Sequence, residues 1–233
     1  MHFPLAGTLI LVVLSYLIGS LPTAIWVSKL FFADDVRNHG SGNAGSTNMY
    51  RVFGLKAGLP VQLIDIGKGA LAAALILFPL TGELIGWQPA PETRPANALV
   101  YHLICGFAAV LGHIYTVFAG FKGGKGVNTV LGMMLVVAPW GSLLGVGVFV
   151  LVLLGWKMVS LGSMLAVSSF PVYAGVRWYL ASENVLQWKI LLAVGLLLSA
   201  LVIYTHRANI QRIRAGTESK AGFLTRKKKQ PSA

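Results

Sequence analysis

Long apolar stretches alternate with short polar ones along this chain, and the alternation predicts a bundle of membrane-crossing helices. A helix needs about 20 apolar residues to cross the hydrocarbon layer. The fourth and fifth apolar stretches are short and meet at Pro139-Trp140-Gly141. We predict an all-α integral membrane protein with seven transmembrane helices, or five crossings if that short pair does not traverse the bilayer. The predicted spans are 8–31, 58–80, 98–118, 127–139, 141–156, 159–177 and 187–205.

Composition supports the membrane class and limits what the positive charge can mean. Hydrophobic residues make up 55% of the 233 residues and charged residues 11%, while the formal net charge is +12. A soluble domain usually carries about 25% charged residues. The basic run 226–229 follows the last apolar span, a placement typical of a tail beside anionic lipid head groups. We expect no nucleic-acid partner, one transmembrane domain at 1–218 and a basic cytoplasmic tail at 219–233.

The distribution of positive charge predicts the orientation, because cytoplasmic segments are enriched in Lys and Arg. An outside N-terminus and seven crossings leave the C-terminus in the cytoplasm. Of the 19 Lys and Arg residues, only Arg94, Arg177 and Lys189 then face outward. The same orientation brings the polar, glycine-rich segments to one face. Those segments are 38–51, 120–129 and 205–212.

The first polar segment, 38-NHGSGNAGSTNMYR-51, combines glycines with neutral donors and one arginine. Gly40, Gly42 and Gly45 match G-x-G-x-x-G, but no βαβ unit surrounds them, so dinucleotide binding is not indicated. Backbone without Cβ can still point several N–H groups at an anion. We therefore predict an anion site in preference to a flexible connector. Its candidate donors are Ser41, Asn43, Thr47, Asn48 and Arg51.

The second polar segment, 120-GFKGGKGVNT-129, places Lys122 and Lys125 on either side of Gly123 and Gly124. An anion there would meet the free N–H groups at the start of the next helix. The order of residues fails the P-loop pattern, so nucleotide hydrolysis is not supported. The alternative interpretation is a simple positive-inside topology signal.

Three further features complete the candidate chemistry. Asp65 and Lys68 stand three residues apart inside a span and can pair on one helical face, either to position the helix or to contact substrate. His206 and Asn209 share a face if the last helix continues into the tail. No His, Cys, Asp and Glu cluster has metal-ligand spacing, and Cys105 stands alone, so we expect neither a metal nor another cofactor.

Four segments, taken in order, resemble the bacterial acyl-phosphate:glycerol-3-phosphate acyltransferases (PlsY). The resemblance implies seven transmembrane helices, an active site facing the cytoplasm and location in a bacterial cytoplasmic membrane. It implies transfer of a fatty acyl group from acyl phosphate to the 1-hydroxyl of glycerol 3-phosphate. The products are lysophosphatidic acid and phosphate, in the first acylation of phospholipid synthesis, and an upstream enzyme would supply the acyl phosphate. The segments are GSGNAGSTNMYRVFG (40–54), DIGKG (65–69), GHIYTVFAGFKGGKGVNT (112–129) and HRANIQRIRAGTE (206–218).

The resemblance also implies roles for individual residues. Ser41, Arg51 and Lys125 would be catalytic, holding the donor phosphate together with Thr47. His206 and Asn209 would bind glycerol 3-phosphate, and Gly42, Gly123 and Gly124 would let backbone approach the phosphates. Asn43 and Asn48 are further substrate-binding candidates, and Asp65 and Lys68 are support residues. The chain departs from the common family pattern at Tyr115, where proline is frequent, and at Asn128, where alanine is more usual.

Two alternatives stay open at this point. Ser41 could act as a nucleophile activated by His206, giving an acyl-serine intermediate. The chain could instead be a transporter for phosphate or an organic phosphate. Transporters place their sites near mid-membrane, often between inverted repeats, whereas the polar residues here gather at one predicted face.

Overall fold

The computed structural model describes residues 5–78 and 96–222, and all the helices and turns in those ranges belong to an α-helical bundle. Its first half contains α1 (Leu5–Gly19), α2 (Thr23–Phe32), α3 (Ser46–Phe53), α4 (Leu55–Ala74) and α5 (Ala96–Ile114). Its second half contains α6 (Val127–Val137), α7 (Pro139–Trp156), α8 (Val159–Leu180), α9 (Val185–Thr205) and α10 (Arg207–Arg214). Short 3₁₀ turns lie at Val36–Asn38, Leu75–Leu77 and Val117–Ala119.

Among the described residues, six helical segments are long and apolar enough to cross a membrane. The predicted all-helical, multi-pass membrane class is therefore confirmed, while the count of seven crossings and the orientation stay predictions. The stretch 127–139, predicted to be short, corresponds to α6, which has 11 residues and ends two residues earlier. The six segments are Leu5–Phe32, Leu55–Leu77, Ala98–Ala119, Pro139–Trp156, Val159–Leu180 and Val185–Thr205.

Three predictions extend beyond the described residues. The predicted span 58–80 is described only as far as residue 78, and most of the segment that carries Arg94 lies beyond the described ranges. Only residues 219–222 of the predicted basic tail are described. The division between domain and tail stays a prediction.

The first span is interrupted, which the apolar pattern over 8–31 did not indicate. Helix α1 ends at Gly19 and α2 begins at Thr23, with Pro22 between them. Proline has no N–H to donate and disfavours a helical conformation in the residue before it. The interruption leaves the carbonyl of Leu21 free to accept a hydrogen bond from Lys68 Nζ at 3.0 Å.

Small residues let the helices that carry the polar segments approach closely, as is common in membrane bundles. A Cβ placed on Gly69 of α4 would lie 2.2 Å from the carbonyl oxygen of Thr129 in α6. One placed on Gly132 of α6 would lie 1.9 Å from that of Ile66 in α4. The start of α6 is thereby fixed against the middle of α4.

A small apolar cluster positions the first polar segment. Met49 of α3 and Val61 of α4 are fully buried together with Val36, Ala24 and Ala57. Burial of a side chain the size of Met49 or Val61 contributes roughly 1.5–3 kcal/mol. The cluster holds α2, α3 and α4 together. The loop of residues 37–45 is therefore anchored at both ends by buried residues, Val36 before it and Met49 after it.

We expect Gly132→Ala to destabilise the bundle, because the added methyl group would overlap backbone that cannot move aside like a flexible side chain. Overpacking of this kind costs about 1–3 kcal/mol. Gly147 is the matched control, since a Cβ there meets nothing within 4 Å. Thermal unfolding of the detergent-solubilised proteins measures the difference. An unchanged melting temperature for Gly132→Ala would contradict the close contact between α4 and α6.

Candidate active site

The first polar segment is folded around the side chain of Asn48. Its Oδ1 accepts from the backbone N–H of Ser41 at 3.0 Å, and its Nδ2 donates to the carbonyls of Val36 at 2.9 Å and His39 at 3.0 Å. Gly40 has φ +61°, and a Cβ there would lie 2.3 Å from Asn48 Oδ1. Asn48, predicted as a substrate-binding residue, is engaged in shaping this loop.

Ion pairs fix the start of the same loop. Asp35 accepts from the backbone N–H of Arg37 at 3.0 Å and pairs with its guanidinium at 2.7 Å. The hydrogen bond from the Arg37 side chain lowers the pKa of Asp35 to about 2. Asp34 contacts His39 at 2.6 Å. These contacts hold the chain between α2 and α3 in one conformation.

Helix α3 presents the polar side chains that follow the loop. Thr47 and Arg51 are exposed, and they share a helical face because they stand four residues apart. The Ser41 side chain is also exposed, Gly42 is exposed with φ +69°, and Asn43 is half-buried. Three of the predicted anion donors, Ser41, Thr47 and Arg51, therefore point away from the core, whereas Asn48 is buried.

The glycines of the second segment have a packing role. The N–H of Gly123 donates to Ile114 O at 3.1 Å, and that of Gly124 donates to His113 O at 3.0 Å. A Cβ on Gly123 would lie 2.0 Å from His113 O, and one on Gly124 would lie 2.1 Å from His113 Nε2. The loop thus lies directly on the end of α5. An incoming anion would meet Lys125 and the first turn of α6, where N–H groups lack intrahelical partners.

Contacts from Lys125 and Asn128 join all three polar segments. Lys125 Nζ donates to the side-chain oxygen of Asn209 in α10, and Lys125 O accepts from Thr205 Oγ1 at 3.2 Å. Asn128 Nδ2 donates to Ser46 Oγ at 2.9 Å, which links the start of α6 to the start of α3. Segments about 80 residues apart in sequence therefore meet at one place.

The electrostatic surroundings of Lys125 include two further cations and one carboxylate. Burial lowers the pKa of Lys125 to about 8; the charge of Glu218 opposes that shift, while Arg212 and Arg51 add to it. Arg51 belongs to the first segment and Arg212 to the third. Three cations and one carboxylate, that of Glu218, thus lie in this region, which leaves a net positive formal charge around the half-buried ammonium group.

His206 is held as a neutral imidazole. The side chain is 3% exposed, and its Nδ1–H donates to Val202 O at 2.8 Å. Burial lowers the pKa of His206 to about 4, and the neighbouring charge of Lys125 contributes in the same direction. Since Nδ1 carries the proton, Nε2 remains an acceptor. A neutral acceptor of this kind suits a hydroxyl group better than a phosphate.

Glu218 is the main contributor to the site that the sequence analysis did not single out. Its Oε1 accepts from Ser160 Oγ and Asn209 Nδ2, each at 2.7 Å, and its Oε2 accepts from Arg212 Nε at 2.8 Å. Burial raises the pKa of Glu218, but these hydrogen bonds outweigh it and leave the pKa below its ordinary value. Glu218 fixes the Asn209 amide so that its oxygen faces Lys125. The sequence feature that could have identified Glu218 is its position as the last residue of the segment HRANIQRIRAGTE (206–218).

The predicted support pair lies beneath these loops, with Lys68 Nζ 2.8 Å from Asp65 Oδ1.

A separate cavity of about 390 Å³ lies at the opposite end of α9 and is lined by residues that include Arg177, Glu183 and Trp188. That cavity is about 30 Å along the 21-residue α9 from His206, at a rise of 1.5 Å per residue. It shares no residue with the cation cluster around Lys125.

Comparison with known proteins agrees with this arrangement of segments. A family model described as glycerol-3-phosphate acyltransferase matches residues 9–216. The chain belongs to the glycerol-3-phosphate acyltransferase family. The match begins within α1, continues through α10 and includes both glycine loops, but not the tail.

Similar family members cover nearly the whole chain. A glycerol-3-phosphate acyltransferase of Chlorobaculum parvum is 42% identical over 229 residues, with 92% of this chain and 97% of the relative covered. One from Chlorobium phaeobacteroides is 43% identical over 233 residues, with the same coverage. A crystal structure of PlsY (YgiH), an integral membrane glycerol 3-phosphate acyltransferase, in its glycerol 3-phosphate form, superposes with a TM-score of 0.76 at 35% identity. That comparison covers 93% of this chain and 96% of the other.

Membership of the glycerol-3-phosphate acyltransferase family places the chain among integral membrane enzymes of phospholipid synthesis. The family name includes a phosphorylated compound, glycerol 3-phosphate, and the cations around Lys125 have the charge that binding of a phosphate group requires. The individual site residues nevertheless depend on the geometry described above. Lys125, His206 and Asn209 are brought together by that geometry, while Ser41, Thr47 and Arg51 lie on the exposed side of the first segment.

Proposed function

We propose that this chain transfers a fatty acyl group from acyl phosphate to the 1-hydroxyl of glycerol 3-phosphate, giving lysophosphatidic acid and inorganic phosphate. The observation that carries the proposal is the junction at Lys125. There the half-buried ammonium of Lys125 contacts Asn209, and the charges of Arg51 and Arg212 help to lower its pKa. A site with several cations is suited to a reaction in which both substrates carry phosphate.

The chemistry requires stabilisation of a departing phosphate more than a strong base. In our proposal the glycerol hydroxyl oxygen attacks the acyl carbonyl carbon, the bond from that carbon to the phosphate oxygen breaks, and the released phosphate takes the hydroxyl proton. Arg51 and Lys125 donate charge-assisted hydrogen bonds to the donor phosphate, helped by Ser41 and Thr47. Fixed donors aimed at developing charge are usually the largest catalytic contribution.

The acceptor substrate is assigned to the third segment. His206 offers a neutral Nε2 that can accept from a hydroxyl of glycerol 3-phosphate. The Asn209 side chain is oriented by Glu218 and completes this part of the site. Acyl-serine chemistry at Ser41 is the competing mechanism. It predicts that donor alone acylates the protein and that hydroxylamine releases the acyl group.

The proposed topology has an outside N-terminus, seven crossings and the site facing the cytoplasm of a bacterial cell. It requires α6 to count as a crossing, although 11 residues rise only about 16 Å, which is half the hydrocarbon thickness. Burial of Val130, Met133 and Met134 indicates that α6 is covered by its neighbours and need not match the lipid by itself. An enzyme that makes acyl phosphate would have to supply the donor.

An assay of the purified chain tests the function directly. In detergent, with palmitoyl phosphate and glycerol 3-phosphate, we expect lysophosphatidic acid and inorganic phosphate in equal amounts. Palmitoyl-CoA as donor, with the same acceptor, is the matched comparison and should give no product. Product formed only from palmitoyl-CoA would contradict the assignment of the donor, and no product from either would contradict acyl transfer.

We expect kcat/KM for palmitoyl phosphate to fall as the pH rises through about 8. The pKa of Lys125 in the free enzyme is lowered to about 8, so its positive charge is present below that pH and lost above it. The ratio kcat/KM reports groups of the free enzyme, whereas the kcat limb should lie at higher pH because bound phosphate stabilises the ammonium. Profiles of the wild type and Lys125→Arg measure this. An alkaline limb at the same pH in Lys125→Arg, whose guanidinium stays protonated, would contradict the assignment.

A further inference from the structure

A buried polar cluster, formed by Asp65 and Lys68 of α4 and His113 of α5, lies within the bundle. The three residues are 2%, 5% and 7% exposed. Lys68 Nζ is 2.8 Å from Asp65 Oδ1, and His113 Nδ1 is 3.6 Å from the same oxygen. Lys68 also donates to Leu21 O at the interruption between α1 and α2. The cluster therefore connects three membrane segments.

This cluster lies directly under the two glycine-rich loops. A cavity of about 10 Å³ is bounded by all three of its residues together with Ala44 of the first loop and Gly123 and Gly124 of the second. Nδ1 of His113 is fully buried, and its contact with Asp65 Oδ1 at 3.6 Å is too long for a hydrogen bond. A buried polar group of this kind is unusual in a merely structural position and calls for an explanation.

His113 supports the second loop through both its side chain and its backbone. Its carbonyl accepts from the N–H of Gly124. A Cβ at Gly124 would lie 2.1 Å from Nε2 of the imidazole, so the ring lies immediately against this part of the loop. The next residue of the loop is Lys125. The position of the His113 ring therefore determines how far the loop lies from the end of α5. The Lys125 side chain extends from this loop.

Stability alone is a weak reason for burying these charges. Buried ion pairs often contribute little, because desolvation offsets their attraction, and apolar replacements of similar volume are frequently tolerated. A cluster that joins the interruption at Leu21, the middle of α4 and the end of α5 can instead fix the relative positions of these elements. The loops that depend on them would then adopt one geometry.

We propose that Asp65, Lys68 and His113 form a positioning unit that holds the 120–126 loop, and with it Lys125, at the height needed to bind the donor phosphate. These residues act through the loop and do not touch substrate. The proposal rests on the proposed function of Lys125 as a phosphate ligand. It assigns His113 a role that the sequence analysis did not give it, and it specifies what the predicted support pair supports.

The kinetic test compares His113→Ala with His102→Ala. His102 is a matched control, because it also belongs to α5 and its Nδ1 contacts α4, at Ala73 O over 2.6 Å. We expect His113→Ala to raise KM for palmitoyl phosphate by about tenfold or more, which is the order of one lost charge-assisted contact. The KM for glycerol 3-phosphate should change by less than about threefold, since Val202 still holds His206 and Glu218 still holds Asn209 when the contact from Lys125 is weakened. His102→Ala should leave both KM values near those of the wild type.

A second variant keeps the His113 ring and removes both charges, together with the hydrogen bond from Lys68 to Leu21 O. Asp65→Asn combined with Lys68→Met is neutral and close in size, so neither charge is left unpaired. We expect the same selective rise in KM for palmitoyl phosphate. Equal losses for both substrates, accompanied by equal drops in melting temperature in this variant, in His113→Ala and in His102→Ala, would overturn the positioning role.

Amide hydrogen exchange tests the loop independently of the reaction. We expect the amides of Gly123 and Gly124 to exchange faster in His113→Ala and in the double variant, but not in His102→Ala. Unchanged exchange at these two amides would overturn the proposal whatever the kinetics show. A wild-type protein that makes no product from palmitoyl phosphate would remove the proposed function, while the exchange result would still decide whether the cluster positions the loop.

Discussion

Lys125→Ala is expected to reduce kcat/KM for palmitoyl phosphate by about a hundredfold or more. Each charge-assisted hydrogen bond to phosphate contributes about 1.5–3 kcal/mol, or roughly ten- to hundredfold in rate. The substitution also removes the contact that joins the second loop to Asn209. Initial rates with the purified variant, at saturating glycerol 3-phosphate, measure the loss.

Lys122→Ala is the matched control for this prediction. Lys122 lies on the other side of Gly123 and Gly124 in the same loop, and its side chain is exposed. We expect its rates to stay within about threefold of the wild type, because exposed charges interact weakly with their surroundings. Equal losses in Lys122→Ala and Lys125→Ala would show that the loop supplies only general positive charge. Normal turnover in Lys125→Ala would remove that residue from the site.

Glu218→Gln is expected to have the second-largest effect, with kcat/KM for glycerol 3-phosphate falling about ten- to hundredfold. The carboxylate accepts three hydrogen bonds, from Ser160, Asn209 and Arg212. An amide in its place carries a donor that would face one of these donors, and leaving a buried donor unpaired costs about 1–3 kcal/mol, more for a charged group. The Asn209 amide would then lose its fixed orientation toward Lys125.

The control for Glu218→Gln is Glu183→Gln, which removes the same charge at an exposed position beyond α8. Steady-state kinetics with varied glycerol 3-phosphate, together with the melting temperature, distinguish local from global effects. We expect Glu218→Gln to change KM for glycerol 3-phosphate more than KM for the donor. A loss that is the same for both substrates and follows the fall in melting temperature would contradict the local role of Glu218.

The sequence predicted the parts of the fold that depend on composition and periodicity. Apolar runs located every spanning segment of the described chain to within a few residues, because lipid selects strongly for long apolar helices. The interruption at Pro22 was missed, since the residues around it are as apolar as the helices on either side. The short length of the fourth apolar stretch was visible in the sequence, but the neighbour that covers α6 was not. Hydropathy does not reveal that a helix is covered by α4 through contacts at Gly69 and Gly132.

The candidate site was predictable as a set of segments but not as a set of contacts. Glycines, lysines and asparagines at one predicted face indicated anion chemistry, and the structure brings those segments together at Lys125. The roles of individual residues depend on distant partners that no local pattern reveals. Asn48 is engaged with the loop backbone, and Gly124 with the imidazole of His113. Asn128 links two segments through Ser46.

The most direct test of the account is a structure determined with glycerol 3-phosphate and a non-transferable palmitoyl phosphonate. We predict that the phosphonate oxygens lie about 2.7–2.9 Å from Lys125 Nζ and from the Arg51 guanidinium, the usual length of charge-assisted hydrogen bonds. Glycerol 3-phosphate should lie beside His206 and Asn209. Phosphoryl groups found instead in the cavity near Arg177 and Trp188, at the far end of α9, would contradict a single site built from the three polar segments.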